Sequence, residues 1–244
     1  MAFTFDIGIA GLTFHVQTQY EDAKNLCKEY WIDGTGEYPI VIEEKMLKSQ
    51  REKCLEDTNP DVIALAGASD AFMETVCLLR AVADEASLHG AILMHGSSVA
   101  VDGKGYIFTA LSGTGKSTHT RLLRQLLGDR IQMINDDKPF LRVDKDQIYL
   151  CGSPWQGKHG LGCNMQAPLC GIFFLHRSPE NVVDSMPVDR ALPIMLEQCN
   201  RPEKPENMLC TLDMLDRILR EVPLYDLGCN MDISAAETSF SKMQ

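Results

Sequence analysis

The 244-residue sequence lacks several features that mark whole classes of protein. It has no C-x-x-C pair, and its nine cysteines are odd in number and irregularly spaced, so neither a disulfide framework nor a zinc site is indicated. No apolar run approaches the roughly 18 residues that a membrane span requires, and no basic leader precedes the apolar start of the chain. We therefore expect a cytoplasmic protein whose cysteines are reduced and mostly buried.

Positive charge is also scarce over the chain as a whole. The 23 lysines and arginines against 34 aspartates and glutamates give a net charge of −11, which argues against a nucleic acid or an anionic membrane as a partner. The stretch 104–159 departs from this balance, because it holds nine lysines and arginines and five acidic residues, a local excess of +4. Such a cationic middle third indicates either a bound small anion or scattered, solvated side chains.

The order of predicted elements divides the chain into two parts. Residues 1–88 combine strand patterns with a helix over 70–88, and we expect a small N-terminal α+β module with its linking helix. Residues 89–244 open with an antiparallel hairpin, SSVAV and YIFTAL around the turn DGKG, and end in a mostly helical region. The very apolar GIFFLH (171–176) predicts a central strand. The predicted fold class is α/β, with a mixed β-sheet and the hairpin placed before a phosphate-binding loop.

The segment TALSGTGKSTHT (109–120) carries the most specific chemical motif. It matches G-x-x-x-x-G-K-[ST], the phosphate-loop pattern, except that Ala110 replaces the first glycine. Its glycines let backbone amides curl around phosphate oxygens, and it lies between a predicted strand and a predicted helix whose N-terminal amides face the anion. The motif predicts an ATP site, with Lys116 on the β- and γ-phosphates and the Ser117 hydroxyl on Mg²⁺. The predicted nucleotide-binding residues are Ser112, Gly113, Thr114, Gly115, Lys116, Ser117 and Thr118.

Three further features fall where phosphoryl chemistry needs them. Asp136 and Asp137 end a predicted strand roughly twenty residues after the motif, where a metal-binding acid or a general base returns beside the phosphates; the other interpretation is a plain turn. His95, at the head of the hairpin, either polarises a phosphate or positions an acceptor, or is a satisfied core histidine. Trp155 and Lys158 offer an aromatic face and a cation in one loop, and we assign both to the acceptor side.

Residues 95–117, HGSSVAVDGKGYIFTALSGTGKS, resemble the HPr kinase/phosphorylase family. In that family a His-Gly pair opens a hairpin and reaches the phosphate loop at the spacing of fifteen residues that separates His95 from Ala110. The words SGTGKST and NDD also resemble phosphoenolpyruvate carboxykinases, whose phosphate-binding fold is related. The resemblance implies that His95, Lys116 and one aspartate of the pair are active-site residues and that Ser117 is a metal ligand.

The sequence departs from the HPr kinase family after the aspartate pair. The family carries a metal-ligating glutamate in a short Glu-x-Arg-Gly element, and the matching segment here, SPWQGKHGLG, contains no glutamate. Reverse phosphorolysis and recognition of HPr are therefore not carried over. The resemblance implies an ATP-dependent kinase acting on a hydroxyl group of a small metabolite or of a peptide serine. Members of the family form homo-oligomers, so the resemblance makes a homo-oligomer an expectation here.

Together, the motif and the resemblance predict one reaction. MgATP binds on residues 110–118, with Mg²⁺ held by Ser117 and Asp136, and Asp137 or its neighbour accepts the proton of the acceptor hydroxyl. The alternative is a regulatory protein that binds ATP on the same loop and transfers phosphate to nothing. The predicted catalytic residues are His95, Lys116, Asp136 and Asp137.

Overall fold

The computed structural model describes residues 2–243 and separates them into two compact units, with the boundary between Ala86 and Ser87. The α/β class with a mixed sheet, predicted from the sequence, is confirmed. The assignment of 89–244 as a nucleotide-binding domain stays a prediction. Among the residues that the structure describes, no helix combines the length and the apolarity needed to cross a bilayer.

Unit 1 is a three-stranded sheet with helices. Strands β1 and β2 form an antiparallel hairpin, and β3 pairs with β2 in parallel. Buried and more exposed residues alternate along β1, as the loose alternation of the sequence predicts. Helices α2 and α3 were not predicted. The elements are β1 (Phe3–Ile9), β2 (Leu12–Thr18), α1 (Glu21–Leu26), a 3-10 turn (Lys28–Tyr30), β3 (Tyr38–Val41), α2 (Glu44–Leu55), α3 (Pro60–Leu65) and α4 (Asp70–Leu88). The boundary between the units falls within α4, so its last two residues belong to unit 2.

Unit 2 contains nine strands and four helices within the described residues. Its elements are β4 (Ala91–Leu93), β5 (Ser97–Val101), β6 (Lys104–Thr109), α5 (Lys116–Leu127), a 3-10 turn (Gly128–Arg130), β7 (Ile131–Asn135), β8 (Phe140–Val143), β9 (Ile148–Cys151), β10 (Gln166–Arg177), β11 (Val182–Ser185), α6 (Val188–Gln198), α7 (Pro205–Glu221), β12 (Leu224–Cys229) and α8 (Ile233–Phe240).

The strands of unit 2 form one mixed sheet in the order β4-β8-β9-β10-β6-β5-β7. Strand β12 pairs with β10 and β11 off this path. Strand β10 is its centre, because its first residues pair with β9 in antiparallel fashion and its later residues pair in parallel with β6 and β12. The predicted hairpin is present as β5 and β6, and GIFFLH lies within β10. Edge strand β11 was not predicted.

Helices cover both faces of this sheet. Ile107 and Ile172 point to a core cluster shared with α6 and α7, and Phe108 and Phe173 point to a second cluster shared with α5 and α8. This arrangement follows from the strand period of two, which sends successive side chains to opposite faces. The parallel pairing of β6 with β10 places the end of β6, the end of β10 and the start of α5 together, at the carboxyl ends of these strands.

Replacing Phe173 by alanine tests the central strand. Its ring is fully buried and stacks on Phe108 at 5.0 Å and on Tyr225 at 4.7 Å between ring centroids, so its loss leaves a cavity in the core. We expect Phe173→Ala to lower the free energy of unfolding by about 3–5 kcal/mol. The matched control is Phe72→Ala, because Phe72 is 46% exposed and should cost less than about 1 kcal/mol. Chemical denaturation measures both, and equal losses would contradict the assignment of the core.

Candidate functional site

The loop between β6 and α5 is curled by its glycines. Gly113 has a φ of 75° and Gly115 a φ of 122°, a left-handed region that residues with a side chain rarely adopt. The Thr114 amide and hydroxyl both donate to the Leu111 carbonyl oxygen, at 3.3 and 2.8 Å, which closes the turn. The N-cap of α5, Gly115, provides no side-chain hydrogen bond. The first N–H groups of α5 therefore lie uncapped beside the loop.

Lys116 is the cation of this loop. Its side chain is buried, and Nζ donates to the carbonyl oxygens of Ala110 at 2.8 Å and Leu111 at 3.3 Å. The pKa of Lys116 is lowered to about 8, chiefly by burial; the charge of Asp137 opposes the shift, and the charge of Lys138 contributes to it. The loop thus holds a poorly solvated ammonium group with an acid close enough to affect its titration.

His95 faces the same place from the start of β5. Its Nδ1 lies 2.9 Å from Gln198 Oε1, and its Nε2 lies 3.3 Å from Asp137 Oδ1. Burial lowers the pKa of His95 to about 4, helped by the charges of Lys138 and Lys116 and opposed by Asp137 and Gln198. The contact with Asp137 is an ion pair only when the ring is protonated, and this pKa keeps the ring neutral at pH 7. His95 is thus a neutral ring in a cationic cluster.

Asn135 positions the residues that follow β7. Its buried side-chain oxygen accepts hydrogen bonds from the backbone N–H groups of Asp137 at 2.8 Å and Lys138 at 2.7 Å. Its amide nitrogen donates to the backbone carbonyl oxygens of Ser153 and Trp155, at 3.0 and 3.2 Å. One side chain therefore fixes the turn that carries Asp137 and also anchors the loop after β9.

Asp137 is bound through one carboxylate oxygen. Oδ1 lies 3.0 Å from the Lys138 Nζ and 3.3 Å from the His95 Nε2. Neither of these two contacts involves Oδ2, and the side chain of Asp137 is 34% exposed. Oδ1 of Asp137 is therefore held by His95 and Lys138, whereas Oδ2 takes no part in these contacts.

Asp136 lies in a different environment. It is buried, and its Oδ1 accepts a hydrogen bond from the Gly157 N–H at 2.7 Å. Asp136 and Ser117 line the same cavity of about 420 Å³, which also includes Arg121 and Arg124 and which we call the arginine cavity. The two predicted metal ligands are thus brought to one cavity.

Two further cavities flank the loop. One, of about 580 Å³, lies between the loop glycines and the ends of β10 and β12; its wall includes Pro179 and Met231, and we call it the Met231 cavity. The other, of about 470 Å³, lies on residues 109–114 and the end of β10 and includes Ile194 of α6. Both cavities share Arg177, whose guanidinium donates to the Gly113 carbonyl oxygen at 2.7 Å.

The structure brings most of the predicted site residues together. His95, Lys116 and Asp137 form one cluster, and residues 112–118 form the loop and the first turn of α5 beside it. The two residues assigned to the acceptor side differ in exposure. Lys158 is exposed on the loop after β9, whereas Trp155 is only 8% exposed and offers little ring surface to a ligand.

Sequence reasoning missed three residues of this site. Lys138 and Asn135 directly flank the aspartate pair, so the word NDDK contained a signal for both. Gln198 stands 103 positions after His95 in the chain, at the end of α6, and no local pattern points to it. The site therefore has polar neighbours that only the tertiary fold supplies.

A magnesium ion fits the side chains at the arginine cavity. Within residues 2–243, no group of three or more His, Cys, Asp or Glu side chains is placed to hold a metal ion. Ser117 and Asp136 nevertheless offer a hydroxyl and a carboxylate oxygen at one cavity. Magnesium commonly takes one or two protein carboxylates and completes its shell with substrate phosphates and water, so this small donor set suits it.

Comparison with known proteins gives little beyond fold. No protein-family model matches the chain, and no curated protein matches its sequence. Among solved structures, the HPr(Ser) kinase/phosphatase from Coxiella burnetii is similar, with 13% identity and a TM-score of 0.34 over 62% of this chain and 97% of that one. This is a distant likeness in fold, and neither the site nor an activity follows from it.

Replacing Lys138 by methionine tests the cationic cluster. The charge of Lys138 lowers the pKa of both His95 and Lys116, so Lys138→Met should raise both pKa values. An NMR titration of the His95 ring measures the first effect. The matched control is Lys104→Met, because Lys104 is exposed at the start of β6, away from the loop. An unchanged His95 pKa in Lys138→Met would contradict the proximity of the two charges.

Proposed function

We propose that the protein is an ATP-dependent kinase that transfers the γ-phosphoryl group of ATP to a hydroxyl group. One observation carries the proposal: the glycine-curled loop after β6 holds a buried ammonium group, Lys116, beside His95 and Asp137. Uncapped amides at the start of α5 add partial positive charge at the same place. Backbone amides plus one ammonium form the donor set that a polyphosphate requires.

The position of Lys116 supports a role in binding and in the transition state. Its ammonium now bonds to two carbonyl oxygens, and in the proposed complex it turns to the β- and γ-phosphate oxygens. Because charge spreads over the equatorial oxygens of the transferring group, fixed cations supply most of the stabilisation. His95, neutral on its own, becomes a better donor when an adjacent anion raises its pKa.

The cavities support an orientation of the nucleotide. We assign the nucleoside to the Met231 cavity, because it borders the loop glycines and offers apolar surface from Pro179 and Met231. The γ-phosphate then lies on the opposite side of the loop, toward Asp136 and Asp137. Ser117 and Asp136 are the proposed ligands of Mg²⁺, which when bound neutralises charge on the phosphate oxygens.

Asp137 is the proposed general base. Its Oδ2, which the His95 and Lys138 contacts do not use, accepts the hydroxyl proton of the acceptor. The acceptor oxygen then forms a bond to the γ-phosphorus, and the bond from that phosphorus to the bridging oxygen of the diphosphate breaks. The products are ADP and a phosphate monoester, and the proton leaves from Asp137 to water. Lys158 keeps its proposed place on the acceptor side.

A regulator that binds ATP without transferring phosphate is the second candidate. The absence of a glutamate from the segment SPWQGKHGLG favours it, since this leaves the site with fewer acidic groups for metal. The retained pair Asp136 and Asp137 and the adjacent His95 favour transfer. The cytoplasmic location and the homo-oligomeric state stay predictions.

Labelled ATP separates the two candidates. We expect the wild-type protein with Mg²⁺ and ATP labelled at the γ-phosphate to label an acceptor in a mixture of hydroxyl metabolites and serine peptides. Lys116→Ala should lower that transfer by at least about 100-fold, because a preorganised cation in a buried site has such an effect on the transition state. The readout is radioactivity in the separated acceptors.

The control for this experiment is Lys104→Ala, which removes an exposed lysine at the far end of β6. It should transfer phosphate at the wild-type rate. Binding of ATP with no labelled acceptor would favour the regulator, and transfer that persists in Lys116→Ala would contradict the proposed role of the loop.

A further inference from the structure

The arginine cavity contains two guanidinium groups that the proposed function has not used. Arg121 and Arg124 are three positions apart on α5, both exposed and both in the cavity wall with Ser117 and Asp136. Residues at i and i+3 of a helix are neighbours on its surface, so these two like charges repel each other. An anion that binds between the two guanidinium groups relieves this repulsion and is therefore favoured.

No acid of the described chain forms an ion pair with either arginine, although Asp136 lines the same cavity. Neither Arg121 nor Arg124 has a hydrogen bond or an ion pair through its side chain within residues 2–243. Six other arginines of unit 2 do have such a partner, either a carboxylate or a carbonyl oxygen: Arg130, Arg142, Arg177, Arg190, Arg217 and Arg220. The two at the cavity thus differ from most arginines of this acidic protein, which has carboxylates in excess.

The rest of the cavity suits a small molecule. Its volume of about 420 Å³ is in the range of ligand pockets, and Met133 and Leu161 contribute apolar surface to its wall. His159, next to the exposed Lys158, lines it from the loop after β9. A ligand here meets apolar surface, two guanidinium forks and, at Asp136 and Ser117, the proposed metal site.

We propose that the arginine cavity binds the anionic group of the acceptor, so that the substrate is a small hydroxyl compound that carries a carboxylate or a phosphate. This inference rests on the proposed function for the identity of the cavity as the acceptor site. The guanidinium groups of Arg121 and Arg124 bind the anion, because their planar forks match carboxylate and phosphate oxygens. Binding of this anionic group holds the hydroxyl oxygen of the acceptor toward the γ-phosphorus. The proton of that hydroxyl group goes to Asp137, as in the proposed mechanism.

Three compounds with one carbon skeleton test the charge requirement: glycerol 3-phosphate, glycerate and glycerol. Each is titrated into the protein by calorimetry with Mg²⁺ and a saturating non-hydrolysable ATP analogue, which keeps the phosphate loop filled. We expect at least one of the two anions to bind about tenfold or more tightly than glycerol, and the better of the two identifies the preferred group. Equal affinity for all three, or no binding of any, overturns the inference.

The double variant Arg121→Gln, Arg124→Gln tests the residues. Glutamine has a similar helix propensity, and both side chains are exposed, so α5 should keep its stability. The affinity for the preferred anion should fall by about tenfold or more, the ratio expected for one lost charge-assisted hydrogen bond. Arg121→Lys, Arg124→Lys should recover part of it, because lysine restores the charge and not the fork. Wild-type affinity in the glutamine variant overturns the inference.

A second double variant is the matched control. Arg130→Gln, Arg220→Gln makes the same change in net charge at exposed ion pairs that lie outside the three cavities. It should bind the anion within about twofold of the wild-type affinity, and an equal loss in both double variants overturns the inference. Affinity for the ATP analogue is measured first in every protein. Failure of the wild-type protein to bind the analogue contradicts the proposed function, whereas analogue binding without anion selectivity contradicts only the acceptor site.

Discussion

The ammonium group of Lys116, bonded to carbonyl oxygens of its own loop, is the interaction on which the candidate site depends. Burying this charge is unfavourable, as its lowered pKa of about 8 reflects. The two carbonyl oxygens, from Ala110 and Leu111, compensate with dipoles and not with a full negative charge. A polyanion in the loop therefore removes an electrostatic cost that the free protein carries, which is the physical reason to expect one there.

The residues around Lys116 affect its ammonium group or fix the residues that do. Asp137 opposes the shift in the Lys116 pKa and Lys138 adds to it, so both side chains contribute to the electrostatic environment of the ammonium group. Asn135 holds both residues by their backbone amides and ties them to the loop after β9. The site thus follows the carboxyl ends of the sheet strands, where the long strand β10 pairs with β6 on one side and with β12 on the other.

The parts of this structure that the sequence predicted are local. The hairpin of β5 and β6, the helix α4 and the glycine turn between β6 and α5 each depend on turn residues and periodicity within a short stretch, and the structure contains all three where expected. Helix α2 was missed because its apolar residues are few, and α3 was missed because it has only six residues, none of them buried. Edge strand β11 has only four residues, mostly exposed, and has no pattern to distinguish it from a loop.

The chemistry of the site was less accessible from the sequence. Gln198 reaches His95 only because α6 packs against the sheet, and the neutral state of that histidine depends on burial. Arg121 and Arg124 read as solvated helix residues, and their position in one cavity with Ser117 and Asp136 depends on where β7 and the loop after β9 lie. Trp155, assigned to the acceptor from its aromatic ring, is buried.

An NMR titration of the ¹⁵N-labelled protein with Mg²⁺ and a non-hydrolysable ATP analogue tests most directly whether the loop after β6 binds a polyphosphate. We expect the largest amide shifts at Gly113, Gly115 and the first turn of α5, together with a rise in the pKa of Lys116 as its ammonium group meets the phosphates. Binding that leaves these amides and the Lys116 pKa unchanged, or no binding at millimolar analogue, would contradict this expectation.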